Sequence, residues 1–110
     1  MTNNKVFKAL ADPTRRRVLE LLREGARTAG DLAGRFPVSK PTMSAHFAVL
    51  QEAGLIEAEK DGRTIYYRLK MSVLEGALLG FAQRFGLDAP ARVGTPKKKE
   101  RLVLRRREAS

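Results

Sequence analysis

The 110-residue sequence has no cysteine, no tryptophan, one histidine, five phenylalanines and two tyrosines. Without cysteine there are no disulfides, thiolate metal sites, redox pairs or Cys nucleophiles. One imidazole excludes a poly-His metal site within a chain. Any Ser–His pair would have to use His46. Ser44 lies two residues away, about 200° around a helix, which is too far for a hydroxyl–base pair. Glu57 and Glu59 share a strand face, but in a charged hairpin where solvation suits them better than acid–base chemistry. The expectation is a non-enzyme with no cofactor and no metal. No apolar run approaches the ~20 residues of a membrane span. The opening MTNNKVFKALADP has no apolar segment before a cleavage site. A cytoplasmic protein without a membrane partner is expected.

Acidic residues are also scarce, 12 Asp and Glu against 22 Lys and Arg, for a net charge of +10. Such a balance points to a polyanion, most simply nucleic acid. The alternative is a solubilising surface with a basic tail. Residues 1–86 carry 14 basic and 9 acidic groups; residues 87–110 carry eight and three. Half the net charge thus falls in the last two dozen residues. These also hold Pro90, Gly94 and Pro96 and few large apolar side chains. Composition predicts a folded domain over 1–87 and a disordered basic tail over 88–110. The length allows one domain. At 43% hydrophobic residues, the core is modest, and oligomerisation commonly supports domains of this size.

The body reads as helices with one hairpin. Val6, Phe7 and Leu10 mark a short amphipathic segment. Asp12-Pro13 is a helix start, with Asp as N-cap and Pro at the first helical position. Val18, Leu19, Leu21 and Leu22 give that helix its apolar face, and Gly25 stops it. Thr28 caps a short third helix holding Leu32, Ala33 and Phe36, ended by Pro37. Ser39 starts a fourth, in which Met43, Phe47 and Leu50 share one face. Asp61-Gly62 signals a hairpin turn, and Thr64–Leu69 has high strand propensity. Ser72 caps a last helix with the stripe Val73, Leu74, Ala77, Leu78, Phe81, Ala82 and Phe85, ended by Gly86. The expected class is mainly α with a small two-stranded wing.

Two short helices, a tight turn and an Asp-Gly ribbon are the parts of a winged helix-turn-helix, in which the fourth helix enters the major groove. Pro41, Ala45, Ala48 and Glu52 lie opposite the core face, with Thr42 and Ser44 on the shoulders. Small residues there permit close approach. Ser and Thr can bond base edges or phosphates, and Ala can pack on a thymine methyl. The helix start at Ser39–Thr42 favours phosphate, and Lys40 adds a mobile charge. The plain alternative is that Ser39 only caps and the small residues only fill an exposed face.

DPTRRRVLELL, TAGDLAGRF, VSKPTMSAHFAVLQEAGLI and DGRTIYYRL together resemble the ArsR/SmtB family of bacterial repressors over about residues 4–86. Within it the chain is similar to the metal-independent branch typified by the autorepressor of a sporulation-delaying toxin system. The resemblance implies a homodimer, joined through its first and last helices, that binds a palindromic double-stranded DNA operator and represses transcription. Carried over residue by residue, it implies DNA contacts at Lys40, Pro41, Thr42, Ser44 and Ala45, and wing contacts at Lys60, Arg63 and Thr64. Many relatives have His or Arg where this chain has Ala45. Metal-sensing relatives carry a Cys-x-Cys box where this chain has Thr28 and Gly30, and others use Asp and His on a last helix that here has neither. An inducer or sequestering protein is a further partner class that the resemblance leaves open. The alternative function is an interaction module docking an acidic partner without operator specificity.

His46 falls between the core and outer faces, so a backbone hydrogen bond and a phosphate contact are both open. Arg15 is expected in an ion pair with Asp12 or Asp31, and Arg16 and Arg17 either as plain surface charges or, since cations at a helix start are mildly unfavourable, as contacts for a phosphate or an acidic partner. Gly76 and Gly80 are four apart on the last helix, where each costs ~1 kcal/mol against Ala. That cost suggests close approach of a partner's backbone. Val73, Leu74, Leu78, Leu79, Phe81 and Phe85 are too many apolar residues for one small subunit to cover. With the first-and-last-helix pairing that the resemblance implies, the expected dimer surface is Val6, Phe7, Leu10, Val73, Leu74, Gly76, Leu78, Leu79, Gly80 and Phe81. Tyr66 and Tyr67 should point to opposite sides of the ribbon.

Overall fold

The computed structural model describes residues 2–87; the expected tail, 88–110, lies outside them. Five helices and three strands follow in the order α1 (Thr2–Leu10), α2 (Pro13–Leu22), β1 (Arg27–Thr28), α3 (Ala29–Ala33), α4 (Lys40–Glu52), β2 (Ile56–Asp61), β3 (Thr64–Leu69) and α5 (Met71–Arg84). None of the described helices is long and apolar enough to cross a membrane. The described residues fall into two units that divide between Ala77 and Leu78.

In the first unit α4 packs against α1, α2 and β2. The expected core face of α4, Met43, Phe47 and Leu50, is buried. It meets Val18, Leu19, Leu22, Leu32, Leu55 and Ile56 in one cluster. Truncating a wholly buried leucine such as Leu50 costs about 2–5 kcal/mol, so this cluster fixes where the outer face of α4 points. Phe47 also rests on Tyr67 of β3, ring centroids 4.7 Å apart at 37°. Tyr66 faces the other way and is exposed, as strand alternation requires.

Local chemistry sets the helix starts. The Asp12 carboxylate accepts from the Thr14 N–H (2.7 Å) and the Arg15 N–H (3.2 Å). Thr28 and Ser39 cap α3 and α4 in the same way. Pro13 and Pro41 sit in the first turns of α2 and α4, where the N–H they lack would have no helical partner.

Several sequence expectations need correction. The sheet has three strands, in the order β1-β3-β2, not two. Arg27 and Thr28 pair with Tyr67 and Tyr66; a two-residue strand is too short to show alternation. The hairpin turn is one residue later than expected. Asp61 pairs with Thr64, so Gly62 and Arg63 form the loop. Gly62 has φ +65°, a conformation glycine adopts freely. The third helix ends at Ala33 with Gly34 as C-cap, so Phe36 lies beyond it and Pro37 does not terminate it. The last helix begins at Met71, placing Ser72 inside its first turn rather than at its cap. Val6 is 0% exposed, because α1 presents its Val6–Ala9 face to its own core. It has no surface left for a partner subunit, whereas Phe7 and Leu10 are half-buried.

In the second unit, the rings of Phe81 and Phe85 lie 4.8 Å apart. Leu78, Phe81, Phe85 and Leu87 are exposed, Phe85 by 66%. Leu79 and Gly80 are half-buried. Within the first unit Val73 and Leu74 are half-buried and Gly76 is exposed. A Cβ on Gly76 would meet nothing within 4 Å, so no close approach inside the described chain explains that glycine.

Candidate nucleic-acid interface

The outward face of α4 is built on its anchored back. With Met43, Phe47 and Leu50 inside, Lys40, Pro41, Thr42, Ser44, Ala45 and Ala48 are all exposed. Ser39 is exposed too, but its hydroxyl serves its own helix. It accepts from the Thr42 N–H (3.3 Å) and donates to the Thr42 hydroxyl oxygen (3.0 Å). The Thr42 O–H hydrogen therefore remains available to an external acceptor.

The ribbon separates the expected wing residues. Lys60 pairs with Ile65, while Asp61 pairs with Thr64 and Glu59 with Tyr66. Successive side chains alternate in direction, so Lys60 is on the face of Ile65 and Tyr67. Thr64 is on the opposite face with Glu57, Glu59 and Asp61. Two of those carboxylates are neutralised locally, Glu59 by Arg68 (2.9 Å) and Glu57 by Lys70 (3.2 Å). Lys60 and Thr64 thus stand on opposite faces of the ribbon at the wing tip, with Arg63 in the loop between their strands.

Ion pairing divides the cations. Lys5, Arg17, Arg27, Arg35, Arg68 and Lys70 each have a carboxylate partner. Among the described residues Lys40, Lys60 and Arg63 have none and are exposed.

Arg15 does not make the expected ion pair. Its Nε donates to Ala9 O (2.8 Å), its Nη2 to Lys8 O (3.0 Å), and its Nη1 lies 3.2 Å from His46 Nδ1. Arg16 Nη1 donates to Leu10 O (2.8 Å). Together they satisfy the terminal carbonyls of α1, which have no helical partners, and Arg15 ties that terminus to α4. A guanidinium only donates, so in this contact His46 Nδ1 is the acceptor. The half-buried His46 thus has neither a backbone partner nor an empty ring at Nδ1. No sequence spacing signals this three-way contact, because α1, α2 and α4 meet only in the fold. Partial burial opposes charge on Asp12. The Arg15 and Thr14 N–H bonds, with nearby His46 and Arg15, nevertheless hold its carboxyl below 3.8.

Asp31 instead receives Arg27 (3.1 Å) and Arg35 (3.3 Å). The Arg27 hydrogen bond, helped by Arg35 and opposed by burial, holds this carboxyl below its usual value. Arg27 also donates to Leu21 O (3.2 Å) and pairs with Glu24 (3.3 Å), clamping α3 to the end of α2. Thr28 and Gly30 line an open groove of about 410 Å³ with Ala29, Arg63, Thr64 and Ile65; none of these six is a thiolate, imidazole or carboxylate.

A short helix, a tight turn, a second helix with an exposed small-residue face and a β-wing define a winged helix-turn-helix domain. A helix-turn-helix domain model matches residues 10–59. The transcriptional repressor SdpR of Bacillus subtilis is 47% identical over 75 residues, 68% of this chain and 83% of that protein. The chain belongs to the ArsR/SmtB family of winged helix-turn-helix regulators. The crystal structure of the ArsR family transcriptional regulator RHA00566 superposes with a TM-score of 0.73 at 31% identity, covering 78% of this chain and 94% of that one. The homodimeric winged helix-turn-helix DNA-binding domain of Mycobacterium bovis Mb0332 gives a TM-score of 0.63 at 30% identity, over 76% and 79%. Other curated relatives, a mercury-resistance repressor and an arsenic-resistance regulator, are longer. The chain spans 53% and 54% of their lengths.

Proposed function

We propose that this chain is a transcriptional repressor that acts as a homodimer on a palindromic operator, without metal sensing. The observation that carries the reading is the outer face of α4. Small side chains at Thr42, Ser44, Ala45 and Ala48 stand exposed on the helix that carries Lys40, and Lys60 and Arg63 are exposed at the wing tip; none of the three cations has a carboxylate partner among the described residues. Thr42 and Ser44 supply hydroxyls for base edges, Ala45 packs on a thymine methyl, and the cations hold phosphates. Thr64, which borders the same groove as Arg63, adds a further hydroxyl at the wing. His46 supports α4 through Arg15.

Two recognition helices about 34–36 Å apart would enter successive major grooves. The exposed Leu78 and Phe81 of the last helix, and the half-buried Val73 and Phe7, supply apolar surface for pairing with a second subunit, whereas Leu10 and Leu74 line a groove within the subunit. Mb0332, described as homodimeric, supports this. Thr28 and Gly30 offer no metal-binding side chain, and no group of three His, Cys, Asp or Glu stands together among the described residues. The cations of 88–110 add affinity that is blind to sequence.

The test is selection of bound fragments from genomic DNA, followed by anisotropy on the selected site and on a scrambled duplex. A repressor should prefer its site by roughly a thousandfold or more. Equal binding to both duplexes overturns the reading and favours the interaction module.

A further inference from the structure

The unpaired cations are not all on the DNA side. Arg16 and Arg23 also have no carboxylate partner among the described residues, and they rim an apolar groove of about 180 Å³. Its floor is Leu10, Leu19, Leu69, Met71 and Leu74, drawn from α1, α2, β3 and the start of α5. One carboxylate, Glu20, also lines it, but Arg17 neutralises that group at 3.0 Å. The rim is therefore net positive over an apolar floor.

We propose that this groove binds a small molecule with an apolar tail of about six carbons and a carboxylate. The size follows from the volume: a cavity of about 150 Å³ holds benzene. The charge follows from the rim. Arg16 uses one Nη1 hydrogen on Leu10 O and keeps further donors. Arg23 is exposed at the end of α2, with its whole fork available for bidentate carboxylate binding. A cationic tail is repelled. A neutral tail buries the same apolar surface but leaves the guanidinium groups unmatched.

The test is titration of the full-length protein with hexanoate, read from backbone amide spectra. Hexanol carries the tail without the charge, and acetate the charge without the tail. Hexanoate should shift the amides of Leu19, Arg23, Leu69 and Leu74 along a saturating curve, with hexanol at least about tenfold weaker and acetate silent. Arg23→Glu should weaken hexanoate by about tenfold or more, and Met71→Glu should abolish its binding. Both positions are exposed, Met71 by 40%, so the rest of each spectrum should stay in place. Shifts that do not saturate or scatter beyond the groove overturn the proposal. So does hexanol binding as tightly as hexanoate, or Arg23→Glu binding like the wild type. The site is tested without DNA, so its failure leaves the repressor reading untouched.

Discussion

Lys40→Ala tests the DNA-binding surface most directly. Each subunit offers three exposed, unpaired cations on the α4 and wing-tip side, Lys40, Lys60 and Arg63. A dimer engaging one phosphate with each neutralises about six, for a slope of log affinity against log salt of about −5. Affinity should fall about a thousandfold between 50 and 200 mM salt by the same relation. Lys40→Ala removes two contacts per dimer. The slope should flatten by about 2, and the loss over that range should shrink to about a hundredfold. The basic segment 88–110 steepens both curves alike, so the difference isolates Lys40. Lys40 is exposed at the first turn of α4, where Ala is well tolerated, so folding should not confound the result. Fluorescence anisotropy at four salt concentrations, on the selected operator and a scrambled duplex, gives both slopes. An unchanged slope refutes the placement of α4 against the phosphates. A flattening on the operator alone would refute the view that Lys40 reads charge rather than sequence.

Arg15→Gln should destabilise the fold by roughly 1–2 kcal/mol, because it releases two α1 carbonyls and His46 from a charged donor at a partly solvated site. It should also weaken operator binding, and urea unfolding at an unchanged midpoint would count against the clamp. Ser39→Ala should cost about 1 kcal/mol through loss of the α4 cap, read in the same assay, with Ser39→Asp restoring most of it. The partners of Asp31 hold its carboxyl below 3.8, so their stabilisation is complete above that pH and fades as pH falls through the lower folded-state value. The stability gap between wild type and Asp31→Asn should therefore shrink below pH 3.8; a gap constant down to acid unfolding contradicts the assignment. Leu78 is 47% exposed, so Leu78→Glu should keep helical content and sediment as a monomer. A stable dimer would remove Leu78 from the proposed interface.

The helical skeleton was legible because its signals are local. Asp12-Pro13, Thr28 and Ser39 bond N–H groups two or three residues onward, so the start of each helix is written beside it. The buried face of α4 followed from spacing alone, and with it the exposed candidates Lys40, Pro41, Thr42, Ser44 and Ala45. The two-residue β1 was not legible, since it exists only by pairing with Tyr66 and Tyr67 nearly forty positions away.

Sequence by itself determined the composition of the site: cations, small polar side chains, and no thiolate. Tertiary structure decided which of those groups are free to act. It set Thr64 and Lys60 on opposite faces of the ribbon and turned Val6 inward. It also gave His46 to Arg15, while Lys40, Lys60 and Arg63 found no carboxylate partner among the described residues. The physical reason is that caps and periodicities are satisfied within a turn or two of chain. Charge pairing and burial depend on groups that become neighbours only when separate elements pack.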